Sequence, residues 1–317
     1  MKRLLVTGVS GLLGLNLAYL AAGRFQATGV LRGKRAVASP GRTPFEVIAA
    51  DLTQPGQIER ILEQTQPDAI FNCAALAQID QCEMAAEEAY QVNTLLPERL
   101  ARAARNSNTR LVHISTDAVF DGTRGDYTES DPPSPINIYA RTKLDGEHAV
   151  ADANPDALIT RVNFFGWSWQ GSRSLSEYFY NHLAAGSPIE GYTDLIFCPL
   201  LVNDLVEILL RMFERGLSGI YHVVSSEAQS KFAFGQMLAR EFGLDETLIT
   251  PASYQESGMK APRSPRLTLR SEKLACALGE TLPAQQPGLR RYAELDRQGY
   301  PRALRSVLVE PNHSFAG

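Results

Sequence analysis

The 317-residue sequence predicts an α/β fold, a doubly wound parallel sheet with a smaller C-terminal lobe, and three features of the chain point to it. Short apolar runs rich in β-branched residues alternate with longer stretches of helical periodicity through the first half. A glycine triplet, Gly8, Gly11 and Gly14, follows the first apolar run and opens an apolar helix. After Asn163 the alternation weakens and aromatic residues gather as Phe164, Phe165, Trp167 and Trp169.

Taken in order, the expected strands are 3–7, 27–31, 46–49, 69–72, 110–115 and 157–162. Between them, 57–64, 85–106 and 139–152 place apolar residues at helical spacing, so each helix would cover one face of the sheet. Right-handed crossovers then wind the chain on both sides. We assign residues 1–163 to a cofactor-binding domain and 164–317 mainly to a substrate-binding lobe, with segments around 200–225 returning to the first domain. In the lobe, 219–224 reads as a strand and 231–242 as an amphipathic helix, and prolines between Pro251 and Pro301 suggest an irregular tail.

Composition narrows the function. Apolar residues make up 44% and charged residues 21%, which suits a packed globular core. The 31 basic and 35 acidic residues leave a net charge of −4 with no long block of one sign, so nucleic acid is not an expected partner. The four cysteines lie far apart and the five histidines show no ligand spacing, so no metal site and a reducing cytoplasm are expected. Met1 to Val6 imitates a secretion signal, but Thr7, Ser10 and Asn16 interrupt it. No segment reaches the roughly 18 apolar residues of a membrane span, so no membrane role is expected.

The glycine triplet is the first candidate site. In Thr7-Gly8-Val9-Ser10-Gly11-Leu12-Leu13-Gly14, glycine permits a tight turn, close approach of backbone to a pyrophosphate and close packing of helix on sheet, while the helix start offers unpaired N–H groups. An NAD site would place an acid some 20 residues further on to bind the ribose 2′-hydroxyl. Here no acidic residue precedes Glu46, and the second strand runs into Arg32-Gly33-Lys34-Arg35. Arg32 and Lys34 could pair with a 2′-phosphate, which predicts NADPH over NADH; a solvated basic loop is the alternative. Asp51 and Leu52 would meet the adenine edge, unless Asp51 or Thr53 caps the next helix. Cys73, Ala74 and Ala75, small residues after the fourth strand, would let a flat ligand lie against the backbone or simply pack a turn.

The second candidate is Tyr139-Ala140-Arg141-Thr142-Lys143, whose tyrosine and lysine share a helix face. A phenol of ordinary pKa near ~10 is a poor acid-base group until a nearby ammonium favours its phenolate, and Lys143 could supply that charge and hold the nicotinamide ribose. Ser115-Thr116 ends the fifth strand, where ligands bind in such sheets, so the Thr116 hydroxyl could bond a substrate carbonyl beside Tyr139.

These motifs, in this order, resemble the extended short-chain dehydrogenases/reductases, specifically the dTDP-4-dehydrorhamnose reductase-like branch. The likeness runs through Thr7 to Gly11, Asn72 to Ala75, Val92-Asn93, Ser115 to Asp117, Val119 to Gly122, Tyr127 to Glu129 and Tyr139 to Lys143. Further on it includes Gly219 to Val223 and Ser230 to Phe232. It implies a Rossmann fold, catalytic Thr116, Tyr139 and Lys143, a contribution of Asn93 to the cofactor site, and a nucleotide-linked 4-keto-6-deoxy sugar as substrate. It also leaves room for magnesium and for a homodimer. Leu12 stands where such reductases usually carry Gln, and 163–174 and the tail beyond Leu282 depart from the branch. Trp167, Trp169 and Arg173 form either lobe core or substrate rim, with at least one tryptophan in the core. The competing readings are a nucleotide-sugar epimerase or dehydratase, and a non-catalytic NADP-binding subunit, since 137–147 also resembles the β subunit of methionine adenosyltransferase.

Overall fold

A computed structural model describes residues 1–33, 37–38, 43–259 and 261–309. Seven strands form one sheet: β1 (Arg3–Thr7), β2 (Gln26–Leu31), β3 (Glu46–Ala49), β4 (Ala69–Asn72), β5 (Arg110–Thr116), β6 (Leu158–Val162) and β7 (Gly219–Val223). Their order is β7-β6-β5-β4-β1-β2-β3, and every neighbouring pair is parallel. The chain steps outward from β1 to β3, then returns and builds β4 to β7 on the other side. The winding therefore reverses between β1 and β4, and a crevice opens at their carboxyl ends, where Thr7 faces Asn72.

The central strands are apolar on both faces, as a sheet covered by helices requires. Leu4, Val6, Phe71 and Val112 point into one core, packed by α1 (Leu12–Ala21). Leu5, Ile70, Leu111 and Ile159 point into the other, filled by Ile58 and Ile61 of α2 (Gln57–Thr65) and Leu100 of α3 (Leu96–Asn106). The expected strand limits agree with the observed ones to about one residue, because β-branched and aliphatic runs bounded by turns leave little freedom.

One expectation is refined and one corrected. The helix expected over 85–106 runs unbroken from Ala86 to Asn106 but carries a π turn: Ala86–Tyr90 is α-helical, Gln91–Leu95 makes the π turn, and α3 follows. The extra residue of the π turn places the buried Asn93 so that its side-chain oxygen accepts from the Leu76 N–H (2.9 Å) and its amide donates to the Leu76 carbonyl (3.0 Å) and Thr142 Oγ1 (3.1 Å). The next helix, α4 (Ile138–Ala153), packs on this turn through Gly146, where any Cβ would collide with the Asn93 carbonyl.

The tail is also not irregular. After α5 (Leu175–Ala184), α6 (Val202–Glu214) and α7 (Lys231–Phe242), the chain forms α8 (Gln285–Arg297) and α9 (Tyr300–Val307). Pro287 and Pro301 sit in first turns, where a missing N–H costs nothing, so they start helices rather than break them. Tyr292 of α8 is fully buried and stacks on Trp167 with ring centroids 4.2 Å apart. Both tryptophans are core residues, whereas Arg173 lies on the surface beside Gln170. The tail binds α1 through Tyr300, whose hydroxyl donates to Asn16 Oδ1 (2.7 Å), while Asn16 Nδ2 donates to the Trp167 carbonyl (3.0 Å). Among the described residues no helix is long and apolar enough to cross a membrane.

Candidate active site

The glycine turn closes the crevice from below. Gly8 has φ +69°, and a Cβ there would lie 2.7 Å from the Ala74 nitrogen, so only glycine lets β1 turn this close to the loop after β4. The Gly11 N–H donates back to the Gly8 carbonyl (2.9 Å), and Gly14 leaves no room for a Cβ against that same carbonyl. Gly11 caps α1 without a side-chain hydrogen bond, and the first turn carries no acid, so the helix start keeps its N–H donors for an anion. These features fit a dinucleotide diphosphate. Leu13 is buried in the core and adds backbone only, while Leu12 and Ser10 are partly exposed at the turn. The Ser10 carbonyl accepts from the Trp169 indole N–H (2.9 Å), so the lobe steadies the turn.

A chain of buried hydrogen bonds fixes the strand ends around it. Thr7 Oγ1 donates to Asn72 Oδ1 (2.7 Å) and accepts from the Ala74 N–H (3.2 Å), and Asn72 Nδ2 pairs with His113 Nδ1 (3.1 Å). Ala74 and Ala75 sit in this loop, and burial pushes the Cys73 thiol up to about 12, which leaves it unreactive. Asn93 reaches the same wall through Leu76 and spends its side chain on positioning it.

At the end of β2, Arg32 is held by two carboxylates, Glu88 (3.1 Å) and Asp51 (3.4 Å). Asp51 also accepts from the Thr53 N–H and hydroxyl (3.0 and 2.6 Å), and Leu52 beside it is buried. Neither Asp51 nor Thr53 caps α2; Gly56 does. Glu88 was not anticipated, since it is distant in sequence and comes from the helix next to the π turn. Lys34 lies outside the described residues.

Across the crevice, Thr116 and Tyr139 line one open cleft of about 190 Å³. Thr116 ends β5, and Asn137 caps α4 by accepting from the Ala140 N–H (2.8 Å), which sets Tyr139 in the first turn. The Thr116 hydroxyl donates to Asp117 Oδ1 (3.1 Å) and accepts from the Ala118 N–H (3.2 Å). Burial pushes the Tyr139 phenol up to about 12; the Thr116 hydroxyl works against this and the Asp117 carboxylate adds to it. Tyr139 is therefore a protonated phenol, which corrects the expectation that the Lys143 ammonium favours its phenolate: burial dominates, and Lys143 is not among the groups that shift the phenol. Lys143, one turn on, is fully buried and donates to the Ile114 carbonyl (2.6 Å); burial lowers its ammonium to about 8 against the pull of Glu147. Glu147 in turn binds Arg161 (2.7 Å) and Ser115, all within the interior.

Asp117, Asn163, Lys231 and Arg263 also line the cleft and were not anticipated as site residues. Burial raises Asp117 to about 6, while bonds from Asn163 and Thr116 favour its charged form. Its place directly after Ser115-Thr116 was a usable signal; Lys231 and Arg263 come from the lobe, and no spacing in the sequence links them to β5. Among the described residues no cluster of three His, Cys, Asp or Glu could hold a metal ion.

Comparison with known proteins adds the family to this geometry. The family model for the RmlD substrate binding domain matches residues 1–297. The chain belongs to this family. A probable low-salt glycan biosynthesis reductase, Agl14, of Haloferax volcanii is 33% identical over 289 residues, covering 90% of this chain and 95% of that protein. The dTDP-4-dehydrorhamnose reductase of Mycobacterium tuberculosis is 32% identical over 286 residues, with 87% of each covered. The crystal structure of Bacillus anthracis dTDP-4-dehydrorhamnose reductase in complex with NADP superposes with a TM-score of 0.81 at 25% identity, covering 92% of this chain and 98% of that one. The methionine adenosyltransferase 2 subunit beta of Xenopus laevis, at 29% identity over 277 residues, is a weaker match. The RmlD family match and the Rossmann-type sheet agree with the resemblance drawn from the motifs.

Proposed function

We propose that this RmlD-family chain is an NADPH-dependent reductase of a nucleotide-linked 4-keto-6-deoxy sugar. The observation that carries the reading is the placing of a protonated phenol, Tyr139, and a strand-end hydroxyl, Thr116, in one cleft at the carboxyl edge of a sheet whose glycine turn fits a diphosphate. The Mycobacterium and Bacillus relatives, named for reduction of dTDP-4-dehydrorhamnose, support the substrate class. Residues 1–163 would hold the cofactor and the lobe the sugar.

NADPH bound at the turn supplies hydride to the keto carbon. The residues of the chain do the rest. Gly8, Gly11 and Gly14, with the open start of α1, hold the diphosphate; Ser10, Leu12, Leu13 and the wall of Cys73, Ala74, Ala75 and Asn93 shape the crevice; Asp51 and Leu52 border the adenine end. Arg32 exchanges its carboxylate partners for the 2′-phosphate. Thr116 turns its hydroxyl from Asp117 toward the sugar oxygen and positions it, and Tyr139 donates the proton that completes the alcohol. Lys143, one helical turn on from Tyr139, would release the Ile114 carbonyl and hold the nicotinamide ribose.

Tyr139→Phe tests this directly. It should lower turnover by roughly two to four orders of magnitude, the range of a general acid, while NADPH affinity stays near that of the parent. Equal turnover in the two proteins would refute the assignment. An epimerase or dehydratase would return its cofactor and show no net NADPH consumption. A regulatory subunit would be inert on every keto sugar and copurify with a synthetase.

A further inference from the structure

One face of α4 carries Tyr139, Lys143 and Glu147 at intervals of one helical turn, and it meets the last three residues of β5. Lys143 donates to the Ile114 carbonyl (2.6 Å), Glu147 accepts from the Ser115 hydroxyl, and Tyr139 meets the Thr116 hydroxyl. Glu147 is the member of this set to which the hydride chemistry assigns nothing. Its carboxylate also takes Arg161 of β6, whose Nε lies 3.1 Å from each oxygen and whose Nη2 donates at 2.7 Å. Both side chains are sealed from water, Arg161 at 3% exposed and Glu147 at 1%.

The clamp continues across the sheet. Arg161 lies over the Phe120 ring, 5.0 Å from its centroid, and donates to His222 Nε2 (3.4 Å) on β7, while His222 Nδ1 donates to the Arg270 carbonyl (3.1 Å). Two residues after Arg161, Asn163 donates to Asp117 in the cleft. A buried ion pair is by itself a weak source of stability, because apolar side chains of the same volume often do as well. The position of this pair gives it a second effect. The titratable groups that face Lys143 are Cys73 after β4, His113 of β5, and Tyr139 and Glu147 of its own helix, with Arg161 and His222 joined on through Glu147. Burial keeps Cys73 and Tyr139 protonated, each pushed up to about 12, and keeps both histidines neutral, His222 down at about 3. That leaves the Glu147 carboxylate as the group that opposes the cost of burying the Lys143 ammonium.

We propose that Glu147, clamped by Arg161, is a positioning residue that keeps the Lys143 ammonium charged and in place, and that ties the helix of Tyr139 to the strand of Thr116. It acts through Lys143 and Ser115 and touches neither cofactor nor sugar. This rests on the reductase reading only for what Lys143 holds, since the charge on Lys143 can be read with no cofactor present.

The test is an NMR titration, from neutral to alkaline pH, of the whole chain labelled with carbon-13 at lysine Cε, with Lys143→Met identifying the signal of Lys143. The parent midpoint is expected at about 8. In Glu147→Gln it should fall by about one pH unit or more, because the buried ammonium loses its opposing carboxylate, and Glu147→Asp should return it toward the parent. Glu147→Gln also leaves the Arg161 charge unmatched in the interior and should melt at a lower temperature. The double variant Glu147→Gln with Arg161→Met removes both charges and should recover much of that loss, so it decides the matter if the single variant does not fold; its Lys143 midpoint should still lie below the parent's. NADPH titrated at a pH between the parent and Glu147→Gln midpoints should bind the variant several-fold more weakly. A Lys143 midpoint equal to the parent's in folded Glu147→Gln or in the double variant would overturn the proposal and make the pair purely structural. A lowered midpoint with NADPH affinity unaltered would keep the hold of Glu147 on Lys143 and remove the ribose-binding role given to Lys143 in the reductase reading.

Discussion

Tyr139 and Lys143 share a helix face, yet the structure gives them different surroundings. Tyr139 opens onto the cleft and stays protonated, whereas Lys143 is sealed behind it against the Ile114 carbonyl. The sign of the pH dependence follows from Lys143. Burial favours its neutral amine, so the proton leaves as pH rises through about 8 rather than the ordinary 10.5. NADPH affinity, measured by fluorescence titration from neutral to alkaline pH, should therefore weaken above about 8. In Lys143→Met it should be weak throughout and flat with pH. Tyr139 adds no alkaline limb in that range, being held near 12. At this scale the sequence was informative about residue types and spacing, because four residues make one helical turn whatever the fold. It could not show Asp117 as a buried, raised carboxylate, since the burial that raises it comes from segments distant in sequence, and Asn163, which reaches it from the end of β6, works against the rise.

Among the elements, the glycine turn is the most constrained. Its function depends on a left-handed backbone at Gly8 and on contact with a loop more than sixty residues away, so Gly8→Ala should combine a strain of about 1–2 kcal/mol with a collision at Ala74. NADPH binding should be lost while the far-ultraviolet circular dichroism stays close to the parent's; unchanged affinity would show that the turn does not hold the diphosphate. The glycine spacing was legible because strand, turn and helix are contiguous. The π turn at Gln91–Leu95 was not, because a smooth helical period runs through it and only the distant Leu76 and Thr142 reveal why Asn93 is displaced. Asn93→Ala leaves both backbone groups of Leu76 without their side-chain partner, and a loss of about 2–4 kcal/mol in urea unfolding is expected.

For the molecule as a whole, the segments after β6 pack onto the glycine turn and α1 rather than hang from the sheet. Trp169 donates to Ser10 in the glycine turn, Tyr300 to Asn16 of α1, and Trp167 stacks on Tyr292, so residues past 160 brace the crevice at the glycine turn. Tyr292→Ala should cost about 3–5 kcal/mol as a buried aromatic cavity, read as a lower melting temperature. The sheet order was legible in outline from alternating strands and helices. The helical tail was hidden by prolines that read as breakers until their first-turn positions are known.

The reductase reading is tested most directly by following the hydride itself. NADPH carrying deuterium at its transferable position should place that deuterium on carbon 4 of a nucleotide-linked 4-keto-6-deoxy sugar, with one NADPH consumed per product, and Tyr139→Phe should nearly abolish the transfer. Product formed without deuterium at carbon 4, or formed as fast by Tyr139→Phe as by the parent, would contradict it.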